Sequence, residues 1–241
     1  TSLAELVGAV NRTPTESQAT AMVGGWVMVS GANHIALVPP ADMEAPVTVA
    51  SSGGASEFVP TSGKLSGLLS MTQEIIPSYL GRLDELALSL VRAVNSIYSE
   101  GMSSEGRFTN LVALNAPKDI DGDGTAMNDI LANAGLPFVP TAGTLTINVA
   151  DASGVVTAQS VSVNPQSQTL ADLIASIDAL DHISAAHVNG RLRIVAESGY
   201  SFDFCADQGT DLLAAFGLNC FLTGSSAADM AVNPELLARP E

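Results

Sequence analysis

The stretch Asp119-Ile120-Asp121-Gly122-Asp123-Gly124 places carboxylates at positions one, three and five and a glycine at position six of a loop. At that spacing a hard divalent cation such as calcium collects its oxygen ligands. The pattern is incomplete. Position twelve, where a bidentate glutamate closes the shell, is Ile130, and Asp129 stands one residue early. Val112, Leu114 and Pro117, ahead of the loop, read as extended chain rather than as the entering helix such a loop requires. Two readings follow: a solvated turn rich in Asp and Gly, which the missing ligand favours, and a weak calcium site on Asp119, Asp121 and Asp123.

Other chemistry is sparse. The histidines are His34, His182 and His187, and no Ser or Cys sits in a G-x-S-x-G elbow, so neither a metal centre nor a nucleophile is marked. Gly53-Gly54 does not open a phosphate-cradling G-x-G-x-x-G or Walker pattern, and no cofactor is implied. Cys205 and Cys220 match no zinc spacing; they are read either as one extracellular disulfide or as two packed thiols. A hydrolase using distant carboxylates ranks last, since no acidic pair stands in an apolar setting that would raise one pKa. The expectation is a protein that is not an enzyme.

The elements around these residues fall into three stretches. Residues 1–62 open with a short helix carrying Leu3, Leu6, Val7 and Val10, then turn to short strands: Ala19 to Ser30, His34 to Val38 ending at Pro39-Pro40, and Val47 to Ala50. Ser51 to Gly63 reads as a connection. Residues 63–101 are helical, with Leu65 to Ile75 separated by a break at Pro77 from a long amphipathic helix. In that helix Leu83, Leu86, Leu90, Ala93 and Ile97, widened by Ala87 and Val94, form the stripe expected to face a core. Arg82, Glu85, Ser89, Arg92 and Ser96 form its polar side.

Residues 102–241 return to strands. Thr144 to Val149 alternates apolar and polar residues, Val161 and Val163 suggest a neighbour, and Thr169 with Asp172 begins a helix over Leu170 to Ile177. Asn189-Gly190 predicts a hairpin turn between Ala185–Val188 and Leu192–Val195. Phe202 and Phe204 lie on one side of a short strand, and Asp211 to Phe216 makes a helix stopped by Gly217. The fold class is α+β: two small β-rich domains joined by a long amphipathic helical region.

Composition narrows the partners. The 241 residues carry 25 acidic and 9 basic side chains, a formal net charge of -16. That balance argues against nucleic acid and against an anionic membrane surface. No stretch approaches the roughly 18 apolar residues of a membrane span, and Thr1 to Glu5 lacks the basic start of a signal peptide. A first residue other than methionine, leading straight into a helical apolar pattern, reads as part of something longer.

Two stretches carry a family resemblance. Gly63-Lys64-Leu65-Ser66-Gly67-Leu68-Leu69, then Ile75-Ile76-Pro77-Ser78-Tyr79, then Leu83-Asp84-Glu85-Leu86-Ala87 through Val94-Asn95 resemble the FlgK family of flagellar hook-associated proteins. Phe216-Gly217-Leu218-Asn219, Phe221 to Ser225 and Ala228 to Pro234 resemble a second stretch of that family, so the likeness runs from Gly63 to Glu241. Thr144 to Val195 also resembles insertion modules of flagellins and the filament cap protein, which are the related alternatives.

The resemblance implies a secreted, extracellular structural subunit at the junction between hook and filament. Its implied partners are the hook protein, a second junction protein, copies of itself and an export chaperone. It further implies that terminal helical segments which drive polymerisation are missing here, leaving a monomeric piece. The competing expectation from another class is a calcium-dependent extracellular adhesion or binding module built around Asp119, Asp121 and Asp123.

Overall fold

The computed structural model describes residues 3–8, 10–12, 20–23, 25–38, 48–51, 54–57, 61–102, 106–205 and 209–238. It combines helices with several small antiparallel sheets, a mixed α+β architecture. Internal contacts divide the chain into two compact units, Thr1–Gly81 and Arg82–Glu241, and the dividing point lies within the helical stretch 63–101.

The first unit begins with helix α1 (Leu3–Val7). Strands β1 (Val10–Arg12), β2 (Thr20–Val23), β3 (Trp26–Ser30) and β4 (Asn33–His34) follow as one sheet in sequence order. A second sheet holds β5 (Ala36–Val38), β6 (Thr48–Ser51) and β7 (Gly54–Glu57). β7 corrects the expectation that 51–63 is only a connection: Thr48 to Ser51 pairs with Glu57 to Gly54 as a hairpin. Pro39, Pro40, Val47 and Gly53 lie outside the described residues. The small core is Val7, Val23 and Met28, with Trp26, Ile35 and Leu65 packed on it.

Leu65 brings in helix α2 (Gly63–Ser70). At its start Gly63 has φ +85°, and a Cβ there would meet the Gly8 nitrogen at 2.5 Å, so the approach of the two backbones requires glycine. The expected break at Pro77 is absent. A π-helical turn, Met71–Ile75, carries α2 directly into α3 (Ile76–Tyr98), and the linking residues keep helical dihedrals. The Ile76 N–H bonds five residues back to the Met71 carbonyl. This shift in hydrogen-bond register, with Pro77 in the first turn of α3 where a missing N–H costs least, lets the helix pass the proline.

The second unit is built on two three-stranded sheets. Strand β8 (Asn110–Val112) joins one of them. Strands β9 (Gly143–Ala150) and β10 (Val156–Val163) pair from Gly143↔Val163 to Ala150↔Val156. Leu145, Ile147 and Val149 are buried, as their alternation demands. Helix α4 (Leu170–Asp178) starts with a complete capping box: Thr169 accepts from the Asp172 N–H, and Asp172 accepts from the Thr169 N–H. Its Leu170, Leu173, Ile174 and Ile177 enter the core.

Strands β11 (Ile183–Val188) and β12 (Arg191–Ala196) form the hairpin, with Asn189 at φ 50° and Gly190 at φ 80°. The order β11-β12-β8 makes one sheet; β13 (Ser201–Phe204) completes the other as β10-β9-β13. Phe202, Phe204 and the wholly buried helix α5 (Leu212–Phe216), ended by Gly217, fill the space beside them. A short pair, β14 (Leu222–Thr223) with β15 (Ala231–Val232), and helix α6 (Pro234–Ala238) close the unit.

Candidate functional site

The acidic loop folds on its own carboxylates. Asp119 accepts from the Gly122 N–H at 2.7 Å and the Gly124 N–H at 2.8 Å, while Asp121 accepts from Asp123 N–H at 3.1 Å. Asp123 turns away, taking the Thr125 N–H at 3.0 Å and the Asn128 side-chain amide. Asp129 is buried and accepts from the Ile120 N–H at 3.4 Å. One oxygen each from Asp119, Asp121 and Asp129 lies within 4.8 Å of the others, so the trio differs from the expected Asp119, Asp121 and Asp123. The residue that stood one place early in the sequence pattern takes the place of the one at position five.

Electrostatics in the loop follow these bonds. The Gly124 N–H, then Gly122, holds the Asp119 carboxyl below its ordinary value despite some loss of hydration. Asp121 is pulled down by the Asp123 N–H, but dehydration and the negative charges of the nearby Asp123 and Asp129 outweigh this and raise it. The loop can thus hold a hard cation, or stand as a self-bonded turn.

The remaining candidates are dispersed. His182 lies 2.8 Å from Glu197 and stacks on Tyr200 at 3.8 Å, His187 sits in β11, and His34 lies in β4 of the first unit. Cys205 is exposed and Cys220 buried, both as free thiols, which settles the choice in favour of unpaired cysteines. Burial pushes the Cys220 thiol up to about 11.

The larger feature is the surface of α3. Its packed line is Ala87, Val91 and Asn95, continued by Ser99 just past the helix end. Of the stripe expected to face a core, Ala87 is buried and Val94 half-buried, but the large side chains are exposed: Leu83 50%, Leu86 66%, Leu90 48% and Ile97 78%. At 3.6 residues per turn the two lines are separated by about a third of a turn. The apolar arc is therefore wider than its packed line, and its large side chains stand about half or more exposed.

Polar bonds fix which edge faces inward. Asn95 donates to the Leu222 carbonyl at 2.8 Å and accepts from the Phe221 and Leu222 N–H groups at 3.0 and 2.9 Å. Arg92 donates to Asp211 at 2.9 and 2.6 Å, Ser96 donates to the same carboxylate at 2.6 Å, and the guanidinium lies 5.2 Å above the Phe138 ring. Asn219 donates to the Gly101 carbonyl at 2.8 Å beyond the helix end, and Asp84 accepts from the Ala227 N–H at 2.8 Å. Arg92 and Ser96, part of the polar side read from the sequence, are thus staples. Their signal was faint: Ala87, Val91, Asn95 and Ser99 recur every four residues, but the line is small and partly polar.

Residues 1–111, which include α1, α2, the π turn and all of α3, match the family described as the flagellar hook-associated protein FlgK helical domain. This chain is FlgK-like. The match supports a hook-associated structural role in the flagellum, the motility organelle. The FlgK-like span takes in the first of the two resembling stretches, Gly63 to Asn95; Phe216 to Pro234 lies beyond it. No curated protein matches the chain. Among the described residues no helix is long and apolar enough to cross a membrane.

Proposed function

We propose that this FlgK-like chain is a structural subunit of the extracellular part of the flagellum, set at the junction of hook and filament, and that it works by packing rather than by catalysis. The observation that carries this reading is the leucine stripe of α3. Four large aliphatic side chains, Leu83, Leu86, Leu90 and Ile97, stand out from a helix whose other line is stapled in place. An exposed apolar stripe at helical spacing is suited to another helix, by the same packing that holds helices in bundles.

The occupants are helical segments of the flagellar axis: neighbouring copies, the hook protein and a second junction protein. An export chaperone covering the stripe before assembly fits the same need. By itself the chain is a monomer. The test is a Leu83→Ser, Leu86→Ser, Leu90→Ser protein produced in flagellated cells. Motility is expected to fall while the purified variant melts like the parent; unchanged motility would overturn the reading.

A second reading rests on the trio Asp119, Asp121 and Asp129: a cation-dependent binding loop. Calorimetric titration with calcium decides it. Saturable heat that disappears in Asp129→Asn supports the loop as a calcium site, and absence of heat leaves it a solvated turn.

A further inference from the structure

We propose that Met71 to Leu83 is a compliant segment built into the long helix, the first part of the helical stretch to open. Every residue from Met71 to Leu83 is exposed, so more than three turns of helix bury little of their side-chain surface. A helix of that length standing on backbone bonds alone is marginal in water.

Three further features inside the same stretch depart from regular α-helical bonding or propensity. The π turn Met71–Ile75 replaces the tighter α bonding. Pro77 withholds an N–H. Gly81 lies mid-helix, where an added Cβ would meet nothing within 4 Å. No close approach therefore demands that glycine, and its effect there is to widen the backbone freedom of the open state. Thr72 adds a bifurcated hydroxyl bond to the Leu68 and Leu69 carbonyls at 3.0 and 3.2 Å, a local bonding mode that bends helices.

On either side the support resumes. Leu65 packs on the core of the first unit, and Ala87 begins the buried line of the second. The boundary between the two units falls inside the exposed stretch, after Gly81. Of the leucine stripe only Leu83 lies within this segment.

Amide hydrogen exchange, read by mass spectrometry on the full 241-residue chain, tests it. Amides of Met71 to Leu83 are expected to exchange far faster than those of Ala87 to Tyr98. Gly81→Ala is expected to slow the exchange of the first set by about fivefold and leave the second unchanged. Equal protection across both sets, or no change with Gly81→Ala, would overturn the proposal. Because neither readout involves assembly, a failure here is separable from a failure of the junction reading.

Discussion

Within one helical stretch, Met71 to Leu83 and Ala87 to Ser99 are held in opposite ways. The later residues are fixed from outside: Asn95 bonds to the backbone of Phe221 and Leu222, Arg92 and Ser96 to Asp211, and Asn219 to the Gly101 carbonyl. The earlier residues have only their own helical bonds. Both carry an amphipathic pattern, so the difference in outside support is not one of hydrophobic patterning. It lies in polar staples, which specify a docking geometry in a way that exposed leucines without a partner do not. One half of the helix belongs to the fold of the second unit, and the other half is left available.

Removing the strongest staple is expected to have the largest effect. Asn95→Ala leaves the Phe221 and Leu222 N–H groups and the Leu222 carbonyl short of partners in a buried place, which costs about 3 kcal/mol in urea unfolding. Arg92→Ala removes a partly exposed pair with Asp211 and is expected to cost about 1 kcal/mol, an effect that shrinks when Asp211→Asn is already present. A control away from the helix, Thr169→Ala, removes the capping-box acceptor of α4 and is expected to cost about 1 kcal/mol.

By contrast Leu86→Ser, on the exposed stripe, is expected to change unfolding by less than about 0.5 kcal/mol while reducing non-specific association of the purified protein. A cost near that of Asn95→Ala would mean that the stripe already serves the fold.

The smallest effect is in pH. Side-chain and backbone bonds from Thr169 hold Asp172 low, those from Ser226 hold Asp229 low, and the Gly124 N–H holds Asp119 low. Each favours the folded state above the ordinary carboxyl value of 3.8, and that contribution is lost as pH falls through the lowered values. Asp121, raised, works in the opposite sense. The melting temperature is therefore expected to decline modestly on acidification from about pH 5 to pH 2.

What could be read from the sequence was local. The capping box at Thr169 and Asp172 and the Asn189-Gly190 turn depend on residues a few places apart, and both stand in the structure as read. The alternation of Thr144 to Val149 likewise marked its buried face. Position around α3 was not legible, because its apolar arc has two edges and the choice between them rests on residues about 120 positions later in the chain. Hydrophobicity alone selects the larger leucines, whereas Asn95, by its buried bonds, selects Ala87 and Val91.

The acidic loop failed in a related way. Spacing chose Asp123, but the Thr125 N–H and the Asn128 amide claim that carboxylate, and the chain's return brings Asp129 beside Asp119 instead. Pro77 was misread because an α-helix cannot absorb a proline in its interior, whereas a π turn just before it can.

The central claim is that the leucine stripe of α3 is covered in the assembled flagellum. A photo-crosslinking amino acid placed at Leu86 of the intact protein in living flagella measures this directly, with Glu85, exposed on another side of the helix, as the reference position. Crosslinks from Leu86 to a helical segment of a flagellar axial protein, with few from Glu85, are the predicted result. Equal yields from both positions, or none from Leu86, would contradict it.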